Sequence, residues 1–269
     1  MSNVIETLSD EATGCRVEIA YDEYPESPRD WTNVFSLCLR SRDYTLVETD
    51  IEPYIQEAQE RIDERVGEIE EAMDRPYRDG ESLAIELDKE LAGLLEVTKD
   101  GGTYPRNPTL EEVEEVYGGR IFPVYAYIHS GIALSCNRRG QFGDPWDSGR
   151  LGYAMVTNET IQKEFLAYHP NGDVDAWLFD VLTEELNCLE DYWQGSVYCI
   201  FCYFPDGEIC SDCESWSGIY DHDAWDKDGH LQSLARESLD SVVERYLERT
   251  NGGMLALDQF SSTELVASS

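Results

Sequence analysis

Arg120–Cys136 and Gly143–Thr157 read RIFPVYAYIHSGIALSC and GDPWDSGRLGYAMVT, and these two stretches decide the fold. Short apolar runs rich in β-branched and aromatic residues are typical of strands. The first stretch predicts two strands that turn at His129–Gly131, and LGYAMV in the second predicts a third strand. Since tight polar turns join neighbouring strands, a mainly antiparallel sheet is expected.

The helices follow from apolar spacing and capping signals. Residues 50–74 place apolar side chains three and four positions apart, which predicts one buried stripe on an acidic helix. Further helices are predicted over 81–97, after an N-cap at Thr109, over 173–193 and over 230–249. The prediction is a single α+β domain over 1–249, with a mainly antiparallel β-sheet, helices packed on one side and an acidic helical segment at 42–118. Residues 250–269 are predicted to be a flexible tail.

Net charge is the strongest compositional signal. The chain carries 56 Asp and Glu against 20 Lys and Arg, a formal charge of −36, and only four of the bases are lysines. A carboxylate-rich, lysine-poor surface favours a salt-adapted, halophilic protein, in which salt screens the self-repulsion. The competing interpretation is a DNA mimic whose carboxylates stand where phosphates would be.

The acidity is uneven along the chain. Residues 51–100 hold 16 acids and 6 bases, a balance of −10, whereas residues 101–150 hold 6 acids and 5 bases, a balance of −1. Salt adaptation alone would make the surface uniformly acidic and would not leave one block of fifty residues nearly neutral. This nearly neutral block contains most of the two opening stretches and is therefore predicted to contain the functional surface.

The candidate site gathers polar side chains from the predicted turns. His129 and Asp147 are the candidate catalytic or metal-binding pair, and a set of neighbours is expected to bind an anion or support the turn. That set is Arg138, Arg139, Asp144, Trp146, Ser148, Gly149 and Arg150. The competing interpretation is purely structural, with Gly149 supplying a positive φ and Trp146 covering the end of the sheet.

Eight cysteines in a chain without export features favour thiols or metal ligands over disulfides. Cys199, Cys202, Cys210 and Cys213 form two C-x-x-C pairs, the spacing of a zinc site. However, the sequence around them predicts a hairpin that turns at Pro205–Gly207, and residues three apart in a strand point to opposite faces. Zinc is therefore an open alternative to a chain without a cofactor.

Four blocks resemble one family of small proteins encoded by phages, plasmids and integrative elements. They are YDEYPESPRDWTN, YIHSGIALS, PWDSGRLGYAMVTNETIQKEF and YWQGSVYCIFCYFPDGEICSDCESWSGIYD, in that order along the chain. Departures from the family pattern include Cys199 at a position where members tend to have glycine. The resemblance implies a mobile-element origin and no established activity.

These observations lead to two functional hypotheses. The first is a non-catalytic mobile-element accessory protein that binds a host or viral macromolecule, as a DNA-mimic inhibitor of a restriction or CRISPR system. The alternative is a hydrolase of a phosphorylated or nucleic-acid substrate that uses His129 and Asp147 with Arg138 and Arg139.

A protein partner is expected, whereas the net charge disfavours direct binding to nucleic acid. The N-terminus lacks a signal peptide and no apolar run is long enough to span a bilayer, which predicts a cytoplasmic location away from membranes.

Overall fold

The computed structural model describes residues 3–74, 81–136, 147–211, 213, 216–220 and 229–263, without the side chains of 74, 81–84 and 251–263. The strands in these residues are β1 Val4–Ser9, β2 Arg16–Tyr21, β3 Ser36–Arg40, β4 Thr45–Val47, β5 Leu95–Val97, β6 Thr103–Pro105, β7 Gly119–Ile128, β8 Ile132–Ser135, β9 Ser148–Thr157, β10 Val197–Tyr203 and β11 Trp216–Tyr220. The helices are α1 Glu52–Asp74, α2 Glu81–Leu94, α3 Leu110–Tyr117, α4 Asn158–Ile161, α5 Val174–Gln194 and α6 His230–Thr263. The fold is α+β with antiparallel sheets, as predicted.

The chain divides into two compact units. The first contains Met1–Thr32, Ile128–Ala133 and Glu184–Ser269, and the second contains Asn33–Tyr127 and Leu134–Thr183. Both units therefore combine segments that lie far apart in the sequence.

The first unit is built on a four-stranded sheet in the order β1-β2-β10-β11. Val17 and Ile19 alternate with Arg16 and Glu18 along β2, so that one face of the sheet is apolar. This face packs with Leu231, Ala235 and Val242 of α6 into a buried core. The predicted hairpin is confirmed: β10 and β11 pair antiparallel, and Gly207 adopts a φ of 86° in the turn after β10.

The second unit is built on a five-stranded sheet in the order β4-β3-β9-β7-β8. The predicted turn between β7 and β8 is present, and β9 lies between β3 and β7 as the central strand. Side chains of α1 and α3 pack on this sheet in one core cluster, which includes Ala58, Val113 and Met155. The apolar stripe predicted over 50–74 is buried at Ile51, just before α1, and at Ala58, Ile62, Val66 and Ile69 within it, whereas its last member, Met73, is exposed.

Helix α3 follows its capping signals. Thr109 accepts a hydrogen bond from the Glu112 backbone N–H, and the Glu112 carboxylate accepts one from the Thr109 backbone, which completes a capping box. The helix ends at Gly118, whose φ of 74° is in the left-handed region. Since α3 covers the sheet next to α1, these caps fix one wall of the cleft described below.

The secondary structure differs from the sequence prediction at several places. The helix expected over 81–97 ends at Leu94, and β5 pairs instead with β6. The reason is the Asp100–Gly102 turn, where Gly101 takes a φ of 82° and the Thr98 N–H donates to Gly102 O, so the segment closes a small hairpin. Helix α6 continues to Thr263 through the expected tail. The short strands β1 and β4 were not predicted.

No helix among the described residues is both long and apolar enough to cross a membrane.

Candidate functional site

The predicted catalytic pair is divided between the two units. His129 lies in the turn after β7, where its backbone N–H donates to Gly131 O at 3.2 Å, and it belongs to the first unit. Asp147 precedes β9 in the second unit. Arg138, Arg139, Asp144 and Trp146 lie outside the described residues. The pairing of His129 with Asp147 therefore stays a prediction.

The end of the predicted PWDSG turn is strand instead. Ser148, Gly149 and Arg150 pair with Tyr127, Ala126 and Tyr125 across β9 and β7. Gly149 is not among the glycines with positive φ, so the expectation that it supplies a left-handed turn position is wrong. The physical reason is that the ladder with β7 already holds these residues in extended conformation.

The four late cysteines form different contacts. The sulfurs of Cys210 and Cys213 are bonded to each other, which corrects the expectation of thiols or metal ligands at these two positions. The Cys199 thiol donates to Ala20 O and the Cys202 thiol to Ser238 O. Burial raises the pKa of each of these thiols to about 11, so both are protonated at neutral pH. Among the described residues, no three His, Cys, Asp or Glu side chains form a group that could hold a metal ion.

Arg150, one of the predicted binding residues, lies in a cleft of about 360 Å³ in the second unit. We call it the Arg150 cleft. Its described lining comprises Ile51, Ile55, Asn107, Pro108, Leu110, Val113, Pro123, Tyr125, Arg150 and Tyr153. The volume is within the range of about 300–1,000 Å³ typical of small-molecule sites.

A β-bulge places the polar side chains of this cleft. In a regular strand Arg150 and Tyr153 would point to opposite faces, because they are three residues apart. The register shifts here: Val124 pairs with Gly152 and Tyr125 with Arg150, so that one residue of β9 has no partner. Arg150 and Tyr153 therefore line the same cleft, with the Arg150 guanidinium carbon 5.0 Å from the centre of the Tyr153 ring.

The apolar side of the cleft comes from two helices and a loop. Ile51 immediately precedes α1, Ile55 lies in its first turn, and Leu110 and Val113 belong to α3. Arg106 holds the loop before α3 by donating two hydrogen bonds of 2.8 Å to the Glu112 carboxylate. This arginine and the capping bonds lower the pKa of Glu112 to about 2.

The Glu112 contact predicts a pH dependence of stability. The folded pKa of about 2 is below the ordinary 4.5, so the contribution is present above pH 4.5 and is lost as pH falls towards 2. Glu112→Gln keeps the capping group and removes the charge, and we expect it to lower the free energy of unfolding by about 0.5–1 kcal/mol at pH 7. Urea titrations of both proteins between pH 7 and pH 2.5 would measure the difference. The control is Glu111→Gln, on the adjacent exposed residue; an equal, pH-independent loss in both variants would contradict the prediction.

A second feature of the same unit is a line of carboxylates on α1. The exposed glutamates Glu57, Glu60, Glu64, Glu68 and Glu71 follow each other at three or four positions, and we call them the glutamate line. An α-helix advances about 1.5 Å and turns about 100° per residue, so the line is about 21 Å long and about 80° wide. Glu57 and Glu68 pair with Arg61 and Arg65, whereas no ion pair among the described residues includes Glu60 or Glu64.

Comparison of the chain with protein-family models, with curated proteins and with solved structures found no match. The resemblance to mobile-element proteins therefore stays a prediction based on the four sequence blocks.

Proposed function

We propose that the protein is a non-catalytic mobile-element accessory protein that binds a basic macromolecular partner through the glutamate line. The observation that carries this proposal is the regular spacing of exposed carboxylates on the outward side of α1, opposite its buried stripe. One carboxylate follows the next about every 5 Å along the helix axis. Each strand of duplex DNA carries one phosphate charge per about 3.4 Å of axis, so a protein that binds DNA offers a complementary basic surface.

The partner class follows from charge and from origin. A basic groove that binds nucleic acid can accept carboxylates through short-range Arg–carboxylate hydrogen bonds, which survive where high salt screens long-range attraction. The four sequence blocks that resemble mobile-element proteins support a target in the host's DNA-directed defence, such as a restriction or CRISPR subunit. Salt adaptation accounts for high surface acidity in general, but it does not require carboxylates to be aligned on one side of one helix.

A pair of matched variants tests this function. The line variant carries Glu60→Gln, Glu64→Gln and Glu71→Gln; the control variant carries Glu52→Gln, Asp63→Asn and Glu70→Gln, on exposed positions about 110° away around α1. Both variants lose three negative charges. Binding of fluorescein-labelled nona-arginine, followed by anisotropy at 0.15 M and 1 M salt, is expected to weaken about tenfold in the line variant at about 0.5 kcal/mol per lost contact. The control variant should stay within about twofold of the wild type.

Equal weakening in both variants would contradict the proposal, because the acidity would then act only as net charge. Capture from host lysate at high salt, with the same three proteins as bait, identifies the partner. A nuclease, restriction or CRISPR subunit retained by the wild type and the control variant but lost from the line variant is the expected result. Retention of the same proteins by all three baits would argue against docking at the glutamate line.

A further inference from the structure

We propose that the Arg150 cleft binds a small organic anion with a planar apolar body, such as an aromatic carboxylate. The inference goes beyond the proposed function: the cleft contains none of the glutamate-line residues, and a small ligand is a different class of partner from a basic macromolecule.

The anionic group is indicated by Arg150. The chain has 56 acids for 20 lysines and arginines, yet no ion pair within the described residues includes Arg150. Its guanidinium carbon instead lies 5.0 Å from the centre of the Tyr153 ring, a cation–π contact that is compatible with hydrogen bonds from the N–H groups to an anion. Of the described residues that line the cleft, none is acidic. A carboxylate or sulfonate placed there would form a charge-assisted, two-pronged contact with the guanidinium.

The planar apolar body is indicated by the remaining lining residues. Ile51, Leu110 and Val113 contribute aliphatic side chains, and Tyr125 and Tyr153 contribute aromatic rings. Asn107 adds an amide that can donate to or accept from a polar substituent. An apolar cleft with few polar groups at one side is the usual form of a site for a small organic ligand.

A neighbouring cleft in the same unit shows the contrast. It is larger, about 650 Å³, but Glu111, Glu114 and Asp175 line it. Arg120 in that cleft already donates to Asp175 at 3.4 Å. Carboxylates in that cleft would repel an anion, and its guanidinium already has a partner. An anion is therefore expected to bind in the Arg150 cleft rather than in this one.

The test uses three indole compounds that differ mainly in charge. Indole-3-acetate is the anion, indole-3-acetamide is its neutral counterpart and tryptamine is the cation, and isothermal titration calorimetry at 0.15 M salt measures each Kd. We expect the wild type to bind the acetate about tenfold more tightly than the amide, and tryptamine most weakly. Arg150→Gln is expected to remove the preference for the acetate while it keeps binding of the amide.

Arg42→Gln is the matched control, because Arg42 is exposed, lies outside the cleft and contributes the same charge. It should leave the preference for the acetate unchanged. Equal affinity for acetate and amide in the wild type, no measurable binding of any of the three compounds, or the same loss in Arg42→Gln and Arg150→Gln would each overturn the proposal. Circular dichroism of both variants establishes that they are folded, and a failure of this test would leave the result with nona-arginine unaffected.

Discussion

Gly152→Ala is expected to destabilise the protein by about 4 kcal/mol or more, a size reached only by the most disruptive substitutions. Gly152 lies in the central strand β9, where it pairs with Leu39 on one side and with Val124 on the other. A Cβ at this position would stand 1.9 Å from the Cys38 carbonyl oxygen and 2.9 Å from the Leu39 Cα. Both are backbone atoms of β3, so the strand itself would have to move.

Thermal unfolding would show this effect as a fall in Tm of about 10 °C, at about 2–4 °C per kcal/mol for a domain of this size. Gly149→Ala is the control in the same strand, because a Cβ there has no heavy atom within 4 Å and the residue does not have positive φ. We expect it to change stability by less than about 0.5 kcal/mol. Similar Tm values for the two variants would contradict the interpretation that close approach of β3 requires glycine at 152.

Local patterns predicted those parts of the fold that depend on neighbouring residues. The stripe on α1 follows from apolar steps of three and four, and the start of α3 follows from Thr109 with Glu112 three positions later. The turns at His129–Gly131 and Pro205–Gly207 follow from residue types that suit tight turns. Each of these signals lies within a window of a few residues, so one sequence suffices to detect it.

The Arg150 cleft could not be predicted in the same way. Its residues come from the start of α1 and the residue before it, the loop before α3, α3 itself, β7 and β9. These segments are separated by up to about a hundred residues and meet only through the sheet order β3-β9-β7 and the helices packed on it. The bulge that turns Arg150 and Tyr153 to the same face is a property of the pairing with β7, and strand periodicity alone would separate them. The available signals were the low net charge of residues 101–150 and Arg150 itself.

The second large effect concerns a buried ion pair in the first unit. Arg29, in the short 3-10 helix Pro28–Asp30, donates to the Glu185 carboxylate at 2.8 Å, and the two side chains are only 7% and 11% exposed. Arg29→Met would leave a buried carboxylate without this cation. We expect the free energy of unfolding to fall by about 3–5 kcal/mol at pH 7, because the Glu185 carboxylate would lose its ion-pair partner Arg29 in a poorly solvated site.

The double variant Arg29→Met, Glu185→Met separates burial of a charge from loss of packing. It removes both charges, and we expect it to recover more than half of the loss, since apolar replacements of a buried pair are often nearly neutral. Urea titrations of the wild type and of the single and double variants at pH 7 measure both the loss and its recovery.

Arg245→Met provides the control within the same unit. Arg245 pairs with Glu248 at 3.2 Å, but the two side chains are 54% and 61% exposed. Water solvates Glu248 whether or not the arginine is present, so the free energy of unfolding is expected to fall by less than about 1 kcal/mol. Substituting Glu248 by Met as well should leave this small loss unchanged. A loss of similar size in Arg29→Met and Arg245→Met would mean that the Arg29–Glu185 contact behaves as a surface pair, and that the stability of this unit comes from the apolar core between its sheet and α6.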